Sequence, residues 1–272
     1  MASSVIKDVD NLTRDNIDQA VELLYRLLFW THEKQTEREG KFKTDDVRGS
    51  TFGKFTKRLS HGYINFKRIE FYFNDSDQLA DEFKISKNDD HSLNQIVIGY
   101  FICSRFDLFI GIFSLFEDAL KIICKAILPP EEYESLFFNV AKILENQDIA
   151  KLIKDNYPKQ FDEIKNKDKL IPLIRIINKF IALKIMTKDE GNFCEFYACI
   201  RNTIHNNGFY FGKPRDFTIL GKKYKFEDGK PILYSLLDEI AFIKEILRIF
   251  EEFTLRINHD HIKDNAYVAG GQ

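Results

Sequence analysis

Apolar residues recur at helical spacing through most of the chain. Between Thr13 and Glu39 the positions Ile17, Ala20, Val21, Leu24, Leu27 and Leu28 are three or four apart, so they line one face of a helix. Thr13 or Asp15 caps its start, and Gly40 follows its polar end. Ser92–Leu128 is a longer helical pattern, stopped by Pro129 and Pro130, with Gly99 as a point where it could break. Further helices are predicted over Glu131–Leu144, Asp148–Asn156, Pro158–Asn166 and Asp168–Lys184. Thr187 then caps a helix running to about Asn206, with Glu190 placed for a capping box and Gly208 at the left-handed stop. From Asp216 to Ile232 the period changes. Phe217, Ile219, Tyr224 and Phe226 surround Gly221-Lys222, with Asp228-Gly229 beyond, which predicts a β-hairpin. Leu233–Arg256 is a last amphipathic helix, and Asn258–Gln272 reads as a frayed tail. The fold class expected is mainly α, with a small β-hairpin inserted before the last helix.

Charge complicates this picture in one place. Gly40–Arg68 carries Lys41, Lys43, Arg48, Lys54, Lys57, Arg58, Lys67 and Arg68, interleaved with Phe42, Phe52, Phe55, Tyr63 and Phe66. Ile69–Asp90 reverses sign, with Glu70, Asp75, Asp77, Asp81, Glu82, Asp89 and Asp90. The switch predicts an elaboration rather than a core layer. Ile69–Phe73 fits a short strand or part of a helix equally. The expected organisation is an N-terminal helix with a basic and acidic elaboration over 1–90, a helical domain over 91–257 and a tail over 258–272. The basic, aromatic stretch has two readings: an RNA-binding surface, since rings stack bases while cations hold phosphates, or a solvated surface over a small core.

Composition narrows the function classes. The chain has 272 residues, with 40 Lys and Arg against 42 Asp and Glu, a formal net charge of −2. Hydrophobic residues make up 44% and charged residues 30%, which excludes a wholly disordered chain. The balance also excludes a protein that coats nucleic acid by bulk charge. Phe is over-represented at 26, beside one Trp, and Gly and Pro are few, as suits a helical body. Met1–Asp10 has no apolar core of a secretory signal, and Cys103, Cys124, Cys194 and Cys199 show no CxxC or zinc spacing. Reduced, buried thiols in a cytoplasmic protein are therefore expected. Ile96–Phe116 is very apolar, but Arg105 and Asp107 interrupt it, so it reads as a buried core helix and no membrane partner is expected. His259-Asp260-His261 lacks further ligands, and there is no glycine-rich phosphate loop, HExxH or GxSxG. No metal or cofactor is expected.

One helix carries candidate chemistry. At about 100° per residue, Phe193, Phe196, Tyr197, Ile200 and Ile204 share a core face, while Arg201 and His205 stack on one flank beside the small Cys194 and Ala198. Arginine presents a fixed fork of donors to phosphate oxygens, and histidine moves a proton near neutral pH. RNA cleavage by the 2′-hydroxyl needs these groups and no metal. A symmetric dimer would supply two of each. The alternative is a structural pair, with Arg201 bonding a carboxylate and His205 capping the helix end.

The string Arg201-Asn202-Thr203-Ile204-His205-Asn206-Asn207-Gly208 resembles the signature helix of the HEPN superfamily, and Phe116-Glu117-Asp118 looks like the acidic position of a family core helix. The resemblance covers roughly residues 92–257. It implies a HEPN-like helical bundle and a metal-independent endoribonuclease, acting as a homodimer in a toxin–antitoxin or phage-defence role, with RNA and an antitoxin or other partner protein as its partners. It also implies His205 as general acid or base, Arg201 as stabiliser of phosphate charge, Asn202 as an orienting group, and Glu117 and Asn206 in support. The family leaves four to six residues between Arg and His, whereas three intervene here. A one-residue difference rotates the His by about 100° on a regular helix. Lys213, Arg215, Lys222 and Lys223 would extend a positive rim for RNA. The alternative function is a non-catalytic helical module that binds RNA or a protein.

Overall fold

The computed structural model describes residues 13–86, 89–139, 147–156, 169–206 and 208–264. The predicted helix over Pro158–Asn166 and the end of that over Glu131–Leu144 lie outside them. The described residues are mainly helical, with one small antiparallel hairpin before the last helix. In chain order they form α1 (Arg14–Glu39), α2 (Val47–Asn74), α3 (Ser76–Phe83), α4 (Asp90–Ile127), α5 (Pro130–Ser135), β1 (Phe138–Asn139), α6 (Gln147–Asn156), β2 (Lys169–Leu170), α7 (Leu173–Ala182), α8 (Lys188–His205), β3 (Arg215–Ile219), β4 (Lys222–Phe226) and α9 (Leu236–Leu255). The two short strands β1 and β2 pair antiparallel, as do β3 and β4.

Local chemistry sets the boundaries. The Thr13 hydroxyl accepts from the Asn16 amide at 3.3 Å and starts α1, whose buried stripe includes Ile17, Ala20, Val21, Leu24 and Leu27. α4 runs 38 residues, about 57 Å, without a break at Gly99, and ends at the two prolines. Its N-cap is Asp89, whose carboxylate accepts from the Ser92 amide. α8 opens on the expected capping box: the Glu190 amide donates to the Thr187 hydroxyl at 3.2 Å, and the Thr187 amide to the Glu190 carboxylate at 2.7 Å. Arg256 also grips that carboxylate, tying the start of α8 to the end of α9. Gly208 takes φ +89°, the left-handed stop after α8. In the hairpin, Leu220 and Gly221 both have positive φ, as a tight two-residue turn requires.

The core runs continuously from α1 to α9. Tyr197 of α8 stacks on Phe109 and Phe113 of α4, with ring centroids 4.0 and 4.9 Å apart. Phe196, one residue earlier, sits among Phe217, Tyr224 and Phe226 of the hairpin and Phe242 of α9. This aromatic contact fixes the hairpin on α8. Inside the apolar α4, Arg105 is buried and pairs with the buried Glu239 of α9. By length and composition α4 is also the one described helix that could cross a membrane.

Two segments differ from expectation. Residues 47–74 are a core helix, not an elaboration. Phe52, Phe55 and Phe66 are buried, and Phe52 and Phe55 both meet Phe250 of α9 at 5.4 Å. The stretch over Ile69–Phe73 is helical, not a strand. The start of the supposed tail is also ordered. Residues 258–264 dock across the start of α2, where the Val47 amide donates to the Ile262 carbonyl and the Asp264 amide to the Asp45 carbonyl. Buried ions hold this strap. Asp46 binds the buried Arg48 and accepts from the Ile262 amide at 3.0 Å, while buried Asp264 takes the Ser50 hydroxyl and Lys54. His261 lies 2.9 Å from Asp45. Among the cysteines, Cys124, Cys194 and Cys199 are buried free thiols, but Cys103 is exposed on α4.

Candidate functional site

The last two turns of α8 carry all the candidate side chains of its motif. Helical periodicity sends them in two directions. Arg201 turns towards α4, where its Nη2 donates to the Glu117 carboxylate at 2.6 Å. Glu117 also pairs with Lys121 at 2.8 Å, so one carboxylate faces two cations. The guanidinium lies over the Phe113 ring, 5.4 Å from its centroid. Its Nη1 reaches the Asn202 side-chain oxygen at 3.4 Å, and its Nε is buried without a partner. The Arg201 side chain remains 27% exposed, so the fork is clamped in direction and still reachable from outside.

His205 is the final residue of α8, and its side chain is exposed. Partial desolvation, with the nearby Arg201 charge, lowers its pKa below the ordinary value of 6.5. Both effects favour the uncharged ring. Cys194, expected on the open flank, is fully buried instead, because that flank is covered at the start of α8 and open only at its end.

On the other side of α8 a groove of about 330 Å³ lies between the helix end and the segment leading into β3. Asn202, Asn206, Lys213 and Arg215 line it, with Phe211 at its edge. The structure thus brings together four of the sequence candidates here and places Arg201 and His205 outside the lining. Arg215 is neutralised by Glu195. Lys222 pairs with Asp238 of α9, and Lys223 projects from the exposed face of β4, so neither contributes to the groove. Tyr210 and Phe211 were not singled out in the sequence. Their position after Asn206-Asn207-Gly208 was the available signal, since a residue beyond a left-handed helix stop turns back beside the helix it leaves. Among the described residues no group of three or more His, Cys, Asp or Glu side chains is placed to hold a metal ion.

Comparison with protein-family models, with curated proteins and with solved structures gives no match for this chain.

Proposed function

We propose that the chain is a HEPN-like endoribonuclease that cuts RNA without a metal, using Arg201 and His205 at the open end of α8. One observation carries this reading: a clamped arginine fork and an exposed histidine sit one helical turn apart. In the reaction, the 2′-oxygen attacks the adjacent phosphorus and the bond to the 5′-oxygen breaks. The products are a 2′,3′-cyclic phosphate and a 5′-hydroxyl. His205 takes the proton of the 2′-hydroxyl, and the departing 5′-oxygen receives a proton from the His205 of a second copy in a homodimer. Arg201 faces the non-bridging phosphate oxygens as charge builds there. Glu117 sets the direction of the fork, and Asn202 adjusts it from the opposite side.

The pH dependence tests the base role. One His205 must be uncharged to accept the proton and its mate protonated to donate one, and the pKa of both is lowered, so cleavage of an unstructured RNA in excess EDTA peaks at a pH below 6.5 and falls on either side. A flat profile across the acid range, or no cleavage by wild-type protein, overturns the assignment.

A second reading has its own support. Glu117 already neutralises Arg201, and Arg215 is similarly engaged by Glu195. On this reading Arg201 is a fastener between α8 and α4, and the helix end binds RNA or a protein without cutting.

A further inference from the structure

The groove beside α8 has the composition of a nucleotide cradle rather than of a closed cavity. Its floor is apolar, from Ala198 and the buried Cys199. Its wall carries two side-chain amides, Asn202 and Asn206, one helical turn apart. The Asn202 oxygen accepts from Arg201, which leaves its NH₂ group as the donor available to a ligand. Lys213 also lines the groove, without an ion-pair partner among the described residues, and the lining Glu195 is already neutralised by Arg215. At the edge, Phe211 is 51% exposed, a degree of exposure it shares with Phe29, Phe71 and Phe83, but it is the one of these four that lines the groove.

The backbone on either side of this ring is held in place. Tyr210 is buried against Phe226, and its hydroxyl donates to the Lys213 carbonyl at 2.8 Å. The next residue, Gly212, has φ +153°, and its amide donates to Asp228 at 3.0 Å. A Cβ at Gly212 would lie 3.0 Å from the Tyr210 hydroxyl, a tight contact, and the backbone angle itself favours glycine. The segment 210–213 is thus pinned at both sides of Phe211, which presents the ring at the groove edge.

We propose that this groove holds one unpaired nucleotide of an RNA strand, with its base stacked on Phe211, its edge facing the Asn202 and Asn206 amides, and its phosphate at Lys213. The inference rests on the RNA reading above and names the form of RNA: a single strand, because a paired base cannot offer a face to Phe211. The groove is at the small end of the roughly 300–1,000 Å³ range of ligand clefts, which suits one nucleotide rather than a helix or strand of a partner. Asn202 joins the two places, since it lines the groove and touches Arg201.

The test separates binding from cleavage. A labelled, unstructured 2′-O-methyl oligoribonucleotide lacks the nucleophile and stays intact, so its affinity for the full chain can be read by fluorescence anisotropy. One internal 2-aminopurine reports stacking. Phe211→Ala is expected to weaken binding about 5- to 150-fold, the equivalent of the 1–3 kcal/mol that one base stack contributes, and to abolish the 2-aminopurine change. Phe211→Tyr keeps the ring and is expected to restore both signals. Lys223→Ala, on the far face of the hairpin, serves as the control for loss of charge alone. Equal affinity of wild type and Phe211→Ala, with thermal unfolding unchanged, overturns the proposal, as does a loss that Lys223→Ala matches. Phe211-dependent binding by a protein that never cuts natural RNA removes the nuclease reading and leaves the groove standing. Cleavage with no dependence on Phe211 does the reverse. Failure of the wild-type protein to bind the oligonucleotide removes the groove proposal.

Discussion

Asp46→Ala is expected to lower the unfolding free energy by about 3–5 kcal/mol, the range found when one partner of a buried ion pair is removed. Few side chains in the molecule serve so many purposes. Its carboxylate caps α2 by accepting from the Arg48 amide at 2.9 Å. It meets the Arg48 guanidinium at Nε and Nη2, at 2.9 and 2.7 Å, and accepts from the Ile262 amide of the strap. Both side chains of the pair are essentially buried. Without the carboxylate, Arg48 stays in the interior with only the Ile257 and Asp260 carbonyls and the face of Phe42 to satisfy it. The sign of the pH dependence follows. Burial alone would push the Asp46 carboxyl up, but Arg48 and the two backbone amides outweigh it and hold the pKa below 3.8. The contribution of Asp46 to stability is therefore fully present above the unfolded value and is lost as pH falls through the lower folded one. Denaturant melts of wild type and Asp46→Ala should differ most near neutral pH and converge in strong acid. An Asp46→Ala protein within about 1 kcal/mol of wild type at neutral pH would show that the strap adds no stability through this pair.

His205→Ala is expected to reduce RNA cleavage about 10²- to 10⁴-fold, the usual contribution of a positioned proton-transfer group. Because the ring is exposed at a helix end, its removal should leave the unfolding free energy within about 0.5 kcal/mol of wild type. The comparison with Arg201→Lys sharpens the result. Lysine retains the charge and can still pair with Glu117, but it lacks the fork that meets two phosphate oxygens at once. Cleavage by Arg201→Lys should fall while its fold is retained. If both variants cleave like wild type, the pair is a fastener, and the second reading stands.

The chain sequence announced α1, α8 and α9 clearly, because each has an apolar stripe at helical period and a capping residue close to its start. The capping box of Thr187 and Glu190 is a purely local signal, and it appears where expected. The sign change between Gly40–Arg68 and Ile69–Asp90 misled for a physical reason. A run of charges reports what the exposed face carries, and α2 buries Phe52, Phe55 and Phe66 on its other face. Buried Arg48 finds its acceptors in Asp46 and in carbonyls more than 200 residues away, a pairing that no local pattern contains. The same holds at the site. Spacing placed Arg201 and His205 on one flank, but only the packing of α4 against α8 brings Glu117 to the guanidinium and turns it from Asn206 and Lys213. The aromatic edge at Phe211 depends on the path of the chain after a left-handed stop, which the sequence marks without giving its direction.

The most direct measurement is the chemistry of the cut ends. An RNA of defined sequence is incubated with wild-type protein in excess EDTA, and the fragments are analysed by mass. The account predicts fragments ending in a 2′,3′-cyclic phosphate, each paired with a fragment that begins with a 5′-hydroxyl, and their absence with His205→Ala. Intact RNA, fragments carrying 5′-phosphates, or equal cleavage by His205→Ala would contradict it.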